Sequence, residues 1–273
     1  MKVLIIFGSE SDKEVYNKII DGLKQNNIEY DLKVASAHRT PEQIPIILQD
    51  KYSLVIAGAG LAAALPGVVA AHTILPVIGV PVGANYSGLD ALLSIMQMPP
   101  GVPVLTVGVN KTEVVSQAAA NILKEYSNVR LVGDEKEPIT KKAIDKAKKI
   151  LDKFKVDYLV DLNPDAQAVN IVFSYFDEPL EKKDELTIYV PLLPEKEKDN
   201  VLSAIDLFKH SAHGLWVGLG RGENAAISAV QILNLNGKYD EDLKNYKEEM
   251  RKKVLEGNKW FQKNKLKNKY NLH

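Results

Sequence analysis

Shifted by 110 residues, the chain overlays itself, and this internal repeat limits the folds open to it more than any other feature. PVIGVPV at 76–82 lies over LTIYVPL at 186–192, setting Val80-Pro81 against Val190-Pro191. Without a gap, Leu92 falls on Leu202, Ile95 on Ile205, Val107-Gly108 on Val217-Gly218 and Ile122-Leu123 on Ile232-Leu233. A register held this long points to duplication rather than to chance likeness between two units of similar pattern. The expected division is residues 1–126 and 127–273, the early part of the second copy being shorter and only loosely aligned.

Within each copy, apolar runs alternate with amphipathic stretches. Residues 3–7 are continuously apolar, the mark of a strand buried on both faces of a parallel sheet. Residues 14–25 space Val15, Ile19, Ile20 and Leu23 at helical intervals. Further strands are expected at 31–34, 54–57, 76–82 and 104–109, and helices at 41–48, with proline near the first turn, and 89–96. The pattern restarts with a strand at 128–132, a turn at Gly133 and a Lys-rich helix at 138–154, whose lysines read as a solvated face. Such alternation predicts parallel sheet wrapped by helices. The charged stretch 237–267 predicts a long helix with Leu243, Tyr246, Met250, Val254 and Trp260 on one side, docked on its own domain or on a neighbouring subunit.

Composition narrows the function classes. Thirty-five basic and 35 acidic residues give no net charge, so nothing favours nucleic acid or a membrane surface as partner. Cysteine is absent, which excludes disulfides, thiolate metal sites and a cysteine nucleophile. The N-terminal apolar run is too short for a signal peptide, and the longest apolar stretch, 54–82, is broken by Gly, Pro and His72. The expectation is a cytoplasmic protein acting on a small molecule.

Three motifs fall at the C-terminal ends of expected strands, the rim where open parallel sheets bind ligands. In Gly8-Ser9-Glu10-Ser11-Asp12, glycine permits a tight turn, and the serines with free helix N–H groups suit a phosphate. Asp12 suits a helix cap equally well. In Ser36-Ala37-His38-Arg39-Thr40-Pro41, Arg39 offers a planar fork for a phosphate, and His38 can give and take protons near neutral pH. The third motif, residues 57–67, reads AGAGLAAALPG; its small residues let backbone approach a flat ligand, or serve tight helix–sheet packing. His72, farther along, reads as structural. Neither a Ser-His-Asp order nor paired carboxylates stand out, so proton transfer with electrostatic positioning is the expected chemistry.

Taken together, GSESD, SAHRTP, GAGLAAALPG and VPVGANYSGLDALLSIMQMPPGVPV resemble the family of 5-(carboxyamino)imidazole ribonucleotide mutase, also called phosphoribosylaminoimidazole carboxylase catalytic subunit, continuously over residues 1–110. SAHRTP with GAGxAA resembles the mutase branch; direct carboxylases typically carry lysine in the position of Arg39. The resemblance implies a flavodoxin-like three-layer sandwich, here duplicated as two lobes, with no metal and no organic cofactor. It implies a purine-biosynthetic mutase, with direct carboxylation of aminoimidazole ribonucleotide by CO₂ as the rival. It assigns proton shuttling to His38 and phosphate and ribose contacts to Ser9, Asp12 and Arg39, with Ser11, Ser36 and Ala37 nearby. Backbone of Gly58, Ala59 and Gly60, together with Leu65, would hold the base and carboxylate.

The chain departs from the family in two ways. Ala64 stands where bacterial mutases usually have histidine, and a second half follows the first. That half has Gly133-Asp134-Glu135-Lys136-Glu137 in place of GSESD, lacks SAHRTP and the glycine-alanine loop, and places His210 and His213 where they read as surface residues. Its acidic turn would repel a phosphate. The expectation is a noncatalytic lobe standing in for a neighbouring subunit, so that a tetramer of fused chains mimics the family's octamer.

Overall fold

The first half contains β1 (Lys2–Phe7), α1 (Lys13–Gln25), β2 (Glu29–Val34), α2 (Gln43–Ile47), β3 (Leu54–Gly60), α3 (Leu65–His72), β4 (Val77–Val82), α4 (Leu89–Met96), β5 (Leu105–Thr106) and α5 (Thr112–Ile122). The second contains β6 (Val129–Val132), α6 (Pro138–Phe154), β7 (Tyr158–Asp161), β8 (Val169–Tyr175), β9 (Thr187–Leu192), α7 (Leu202–His210), β10 (Leu215–Trp216), α8 (Gly222–Leu233) and α9 (Asp240–Tyr270). The computed structural model describes the backbone of residues 1–175 and 185–270, and side chains through residue 260.

All ten strands join one sheet, in the order β2-β1-β3-β4-β5-β10-β9-β8-β6-β7. Read inward from either edge, the connectivity is the same. The bounds of β4 and β9, and of β5 and β10, differ by the 110 residues of the sequence repeat. Neighbouring strands pair parallel within each half, whereas β5 and β10 meet antiparallel through Thr106 and Trp216. The two halves therefore form one continuous sheet whose carboxyl rims point to opposite ends. The strand expected over 104–109 keeps only two paired residues, because the chain leaves the sheet after Val107 and turns through Asn110 at φ 57°.

Apolar side chains of both halves form one core on the face covered by α1, α5, α6 and α8. The opposite face of the first half is filled by α2, α3 and α4, with Ile44, Leu65, Val69, Ala91 and Ile95 buried. Across the seam on that face, Leu92 and Met96 of α4 meet Tyr189, Leu207 and Trp216. Tyr189 and Trp216 stack with ring centroids 4.8 Å apart. The α6 lysines are used more than a solvated face requires: Lys146 donates to the Gly220 carbonyl at 2.8 Å, and Lys148 and Lys153 pair with Glu135 and Glu249. Among the described residues, no helix is long and apolar enough to cross a membrane.

Polar brackets close the seam. Asn224, only 1% exposed, accepts the Gly101 N–H at 2.9 Å and donates to the Pro99 carbonyl at 3.0 Å. Gln97 accepts the Leu219 N–H at 3.4 Å. The long helix α9 packs Tyr246 against Phe154 of its own half and Met250 against Gly101 of the other. Leaving a buried donor and acceptor without partners costs about 1–3 kcal/mol. Asn224→Ala is therefore expected to lower unfolding free energy by about that amount, read from the midpoint of chemical denaturation.

Candidate active site

At the carboxyl rim of the first half, a cavity of 860 Å³ opens between the ends of β1, β2, β3 and β4. Its walls come from all three sequence motifs: Gly8, Ser9, Ser11 and Asp12; Ser36 to Arg39; and Ala59 to Leu65. In the first turn, Ser9 Oγ accepts both the Ser11 N–H at 3.2 Å and the Ser11 hydroxyl at 2.8 Å. Ser9 thereby caps the short 3-10 turn Glu10–Asp12 that precedes α1. Asp12, at the N-cap position of α1, makes no side-chain cap bond. Its carboxylate is left to face the cavity. Partial burial raises its pKa above the ordinary value, opposed by the Ser11 hydroxyl.

The second motif is a tight turn held by its own side chains. Thr40 Oγ1 accepts the Ser36 N–H at 3.0 Å, and Ser36 Oγ accepts the Arg39 N–H at 3.2 Å. The Arg39 guanidinium donates through Nε to Ser36 Oγ at 3.4 Å and through Nη2 to the Gly8 carbonyl at 3.3 Å. One cation thus ties two motifs together and keeps its remaining N–H donors for a ligand. His38 is exposed on the cavity wall.

The third motif divides its residues between packing and lining. Gly58 lies beneath the cavity: its carbonyl accepts the Gly8 N–H at 3.0 Å, and a Cβ there would come within 2.2 Å of the Phe7 ring. Ala59, Gly60 and the following residues through Leu65 line the cavity. Leu61 adopts a left-handed backbone at φ 57°, which bends the strand end over the opening. Ala63 and Ala64, just before α3, and Leu65, its first residue, complete this wall.

Val82, Gly83 and Ala84, from the stretch VPVGANYSGLDALLSIMQMPPGVPV, also line the cavity, as do Lys13, Glu14, Val15 and Asn110, which carried no motif in the sequence. Position after the end of β5 was the available signal for Asn110. Asn110 Oδ1 accepts the Gly83 N–H at 3.1 Å and so fixes that wall. His72 is exposed at the far end of α3, away from the cavity. His213 is exposed, whereas His210 is half-buried with Nδ1 2.9 Å from the Asp206 carbonyl. Among the described residues, no three His, Asp or Glu side chains gather as metal ligands.

The corresponding turn of the second half is closed to an anion by its own acid. Glu137 accepts the Ile139 and Thr140 N–H groups at 3.1 and 2.5 Å, filling the helix N-terminus that a phosphate would use. Burial pulls its pKa upward, yet the Thr140 and Ile139 amides bring it down to about 2. With the folded value below the unfolded one, this cap stabilises fully above the ordinary carboxylate pKa and is lost as pH falls towards 2. Glu137→Gln is expected to flatten that part of the acid limb in pH-dependent denaturation.

An α/β fold with a cavity at the carboxyl rim, walled by serines, an arginine and a histidine, places this chain among α/β proteins that take a small molecule at that rim. A family profile described as AIR carboxylase matches residues 2–132. N5-carboxyaminoimidazole ribonucleotide mutase of Methanocaldococcus jannaschii is 46% identical over 156 residues, covering 56% of this chain and 99% of that protein. The protein of the same name from Thermotoga maritima is 42% identical over 156 residues, covering 55% of this chain and 91% of that one. The crystal structure of Treponema denticola PurE aligns at 26% identity and a TM-score of 0.40, over 56% of this chain and 96% of that one. The chain belongs to the AIR carboxylase family.

Proposed function

We propose that the first half is an N5-carboxyaminoimidazole ribonucleotide mutase of purine biosynthesis. The observation that carries this reading is the single cavity walled by all three motifs. Ser9, Ser11 and the free donors of Arg39 bind the substrate's phosphate, and the acceptor-only carboxylate of Asp12 takes ribose hydroxyls. Small residues 59–64 let the flat imidazole lie against backbone, and α3's N-terminal turn, with Leu65, borders the carboxylate.

In the first step the bond between the exocyclic nitrogen and the carboxylate carbon breaks. Its electron pair stays on nitrogen, which takes a proton from His38, and CO₂ is released into the cavity. Ring carbon 4 then gives an electron pair to the carbon of CO₂, and the proton it loses returns to His38. The residue ends as it began, and the product is 4-carboxy-5-aminoimidazole ribonucleotide. General acid–base groups contribute about 10²–10⁴-fold to rate. His38→Asn is expected to lower kcat by that much while nucleotide binding, measured by calorimetry, persists. Supplying the carboxyamino substrate and aminoimidazole ribonucleotide separately, with and without bicarbonate, tests the reaction itself. Consumption of aminoimidazole ribonucleotide with bicarbonate, but not of the carboxyamino compound, would replace the mutase with a direct carboxylase.

We also read the two halves as a tandem duplication with a noncatalytic second lobe, divided near residue 126. The matching strand order, the 110-residue offset and the self-capped turn at Glu137 support it. The second lobe then takes a neighbouring subunit's place, and four chains supply the eight lobes of the assembly. Light scattering is expected to report a homo-tetramer in the cytoplasmic buffer range; a monomer at working concentration refutes this arrangement.

A further inference from the structure

We propose that Lys247 is a positioning residue: from the second half it anchors the C-terminal end of α3 and so sets the wall of the active-site cavity. The eight residues of α3 span roughly 12 Å, from the cavity back toward the N-terminal end of β4. Its first residue, Leu65, lines the cavity, and Ala63 and Ala64 line it just before the helix begins. Its last turn leaves carbonyls that no residue of the helix can satisfy, at the negative end of the helix dipole.

Lys247 meets that need. Its ammonium donates to the Ala70 carbonyl at 2.8 Å and to the Thr73 carbonyl at 2.5 Å. Neighbouring charges on α9 are committed elsewhere: Lys244 to Glu241, Arg251 to Glu248, and Glu249 to Lys153. No carboxylate among the described ion pairs takes Lys247, so its charge acts on the helix end. Burial lowers its pKa to about 8, which leaves the ammonium charged at neutral pH.

The helix has little of its own to hold it. Eight residues are too few for a stable helix without tertiary support, and no side chain caps it at Ala64, so its place rests on the burial of Leu65, Pro66, Val69 and Ala70 and on the bonds at its C-terminal end. So short a helix moves as a rigid body, and a tilt at Ala70 displaces Leu65 at the other end. Chemistry that depends on trapping CO₂ beside a ring carbon is sensitive to displacements of about 1 Å. The phosphate contacts lie on the turns after β1 and β2 and are outside this lever.

The link to catalysis rests on the mutase reading, whereas the anchoring itself does not. Lys247→Met keeps the buried stem and removes the charge; Lys247→Arg keeps a cation. Hydrogen exchange of residues 67–72 is measured alongside steady-state kinetics, with exchange of α6 as the control for global stability. In Lys247→Met, α3 protection is expected to fall at least tenfold with α6 unchanged. The same variant should show kcat reduced about tenfold and KM altered less than threefold, the pattern of lost transition-state positioning. Lys247→Arg should recover both. Wild-type α3 protection in the Met variant overturns the proposal, as does a loosened α3 with full kcat. If the unmodified chain turns over no carboxyamino substrate, the proposed reaction fails, and the exchange data alone decide whether Lys247 anchors α3.

Discussion

Everything else in this molecule depends on the antiparallel contact between β5 and β10. A parallel sheet grows by crossover connections, and each half grows its own from near the outer edge towards the centre. At Thr106 and Trp216 the two growing edges meet head to tail. An edge strand left open offers unpaired N–H and C=O groups to any other chain, and closing two such edges on each other removes that hazard. The ladder itself is minimal: Thr106 pairs with Trp216, and each strand is two residues long. Its strength comes from what flanks it: the Tyr189–Trp216 stack, the apolar cluster with α4 and the Asn224 bracket on the Pro99–Gly101 turn.

The opposed rims follow from the same contact. Because the halves run antiparallel, the foot of the first half lies beside the rim of the second. There α9 can cover its own lobe through Tyr246 while touching Gly101 and α3 of the other. The rim of the second half carries acids that cap its own helix, and the rim of the first leaves donors open. Two similar frameworks thus differ electrostatically where ligands would bind and cooperate structurally where they touch.

Sequence patterns exposed the parts governed by local periodicity. Helices α4 and α6 occupy 89–96 and 138–154 as their spacing predicts, and the 110-residue register reappears in β4, β5, β9 and β10. Motifs at Gly8–Asp12 and Ser36–Arg39 were legible because turn glycines, hydroxyls and an Arg-His pair have few other uses at a strand end. The antiparallel seam was not, since two-residue strands carry no alternation and their pairing is a long-range choice. Gly58 illustrates a different limit: proximity to Phe7 and proximity to a ligand both demand a missing side chain, and only packing separates them. The left-handed backbone of Leu61 was not legible because leucine seldom adopts it, and Asn110, a residue that adopts it more readily, stood in no motif.

The bond from Lys247 to Ala70 joins positions 177 apart in the chain. At a synthesis rate of roughly 5–20 residues per second, α9 leaves the ribosome on the order of ten seconds after α3. During that interval the first half has its strands, motifs and cavity-lining residues, yet β5 has no neighbour on its outer side and α3 has no anchor. On the anchoring proposed for Lys247, competence is acquired late, when the last helix arrives. A nascent or prematurely terminated chain would present the motifs of an active site without the frame that makes them one.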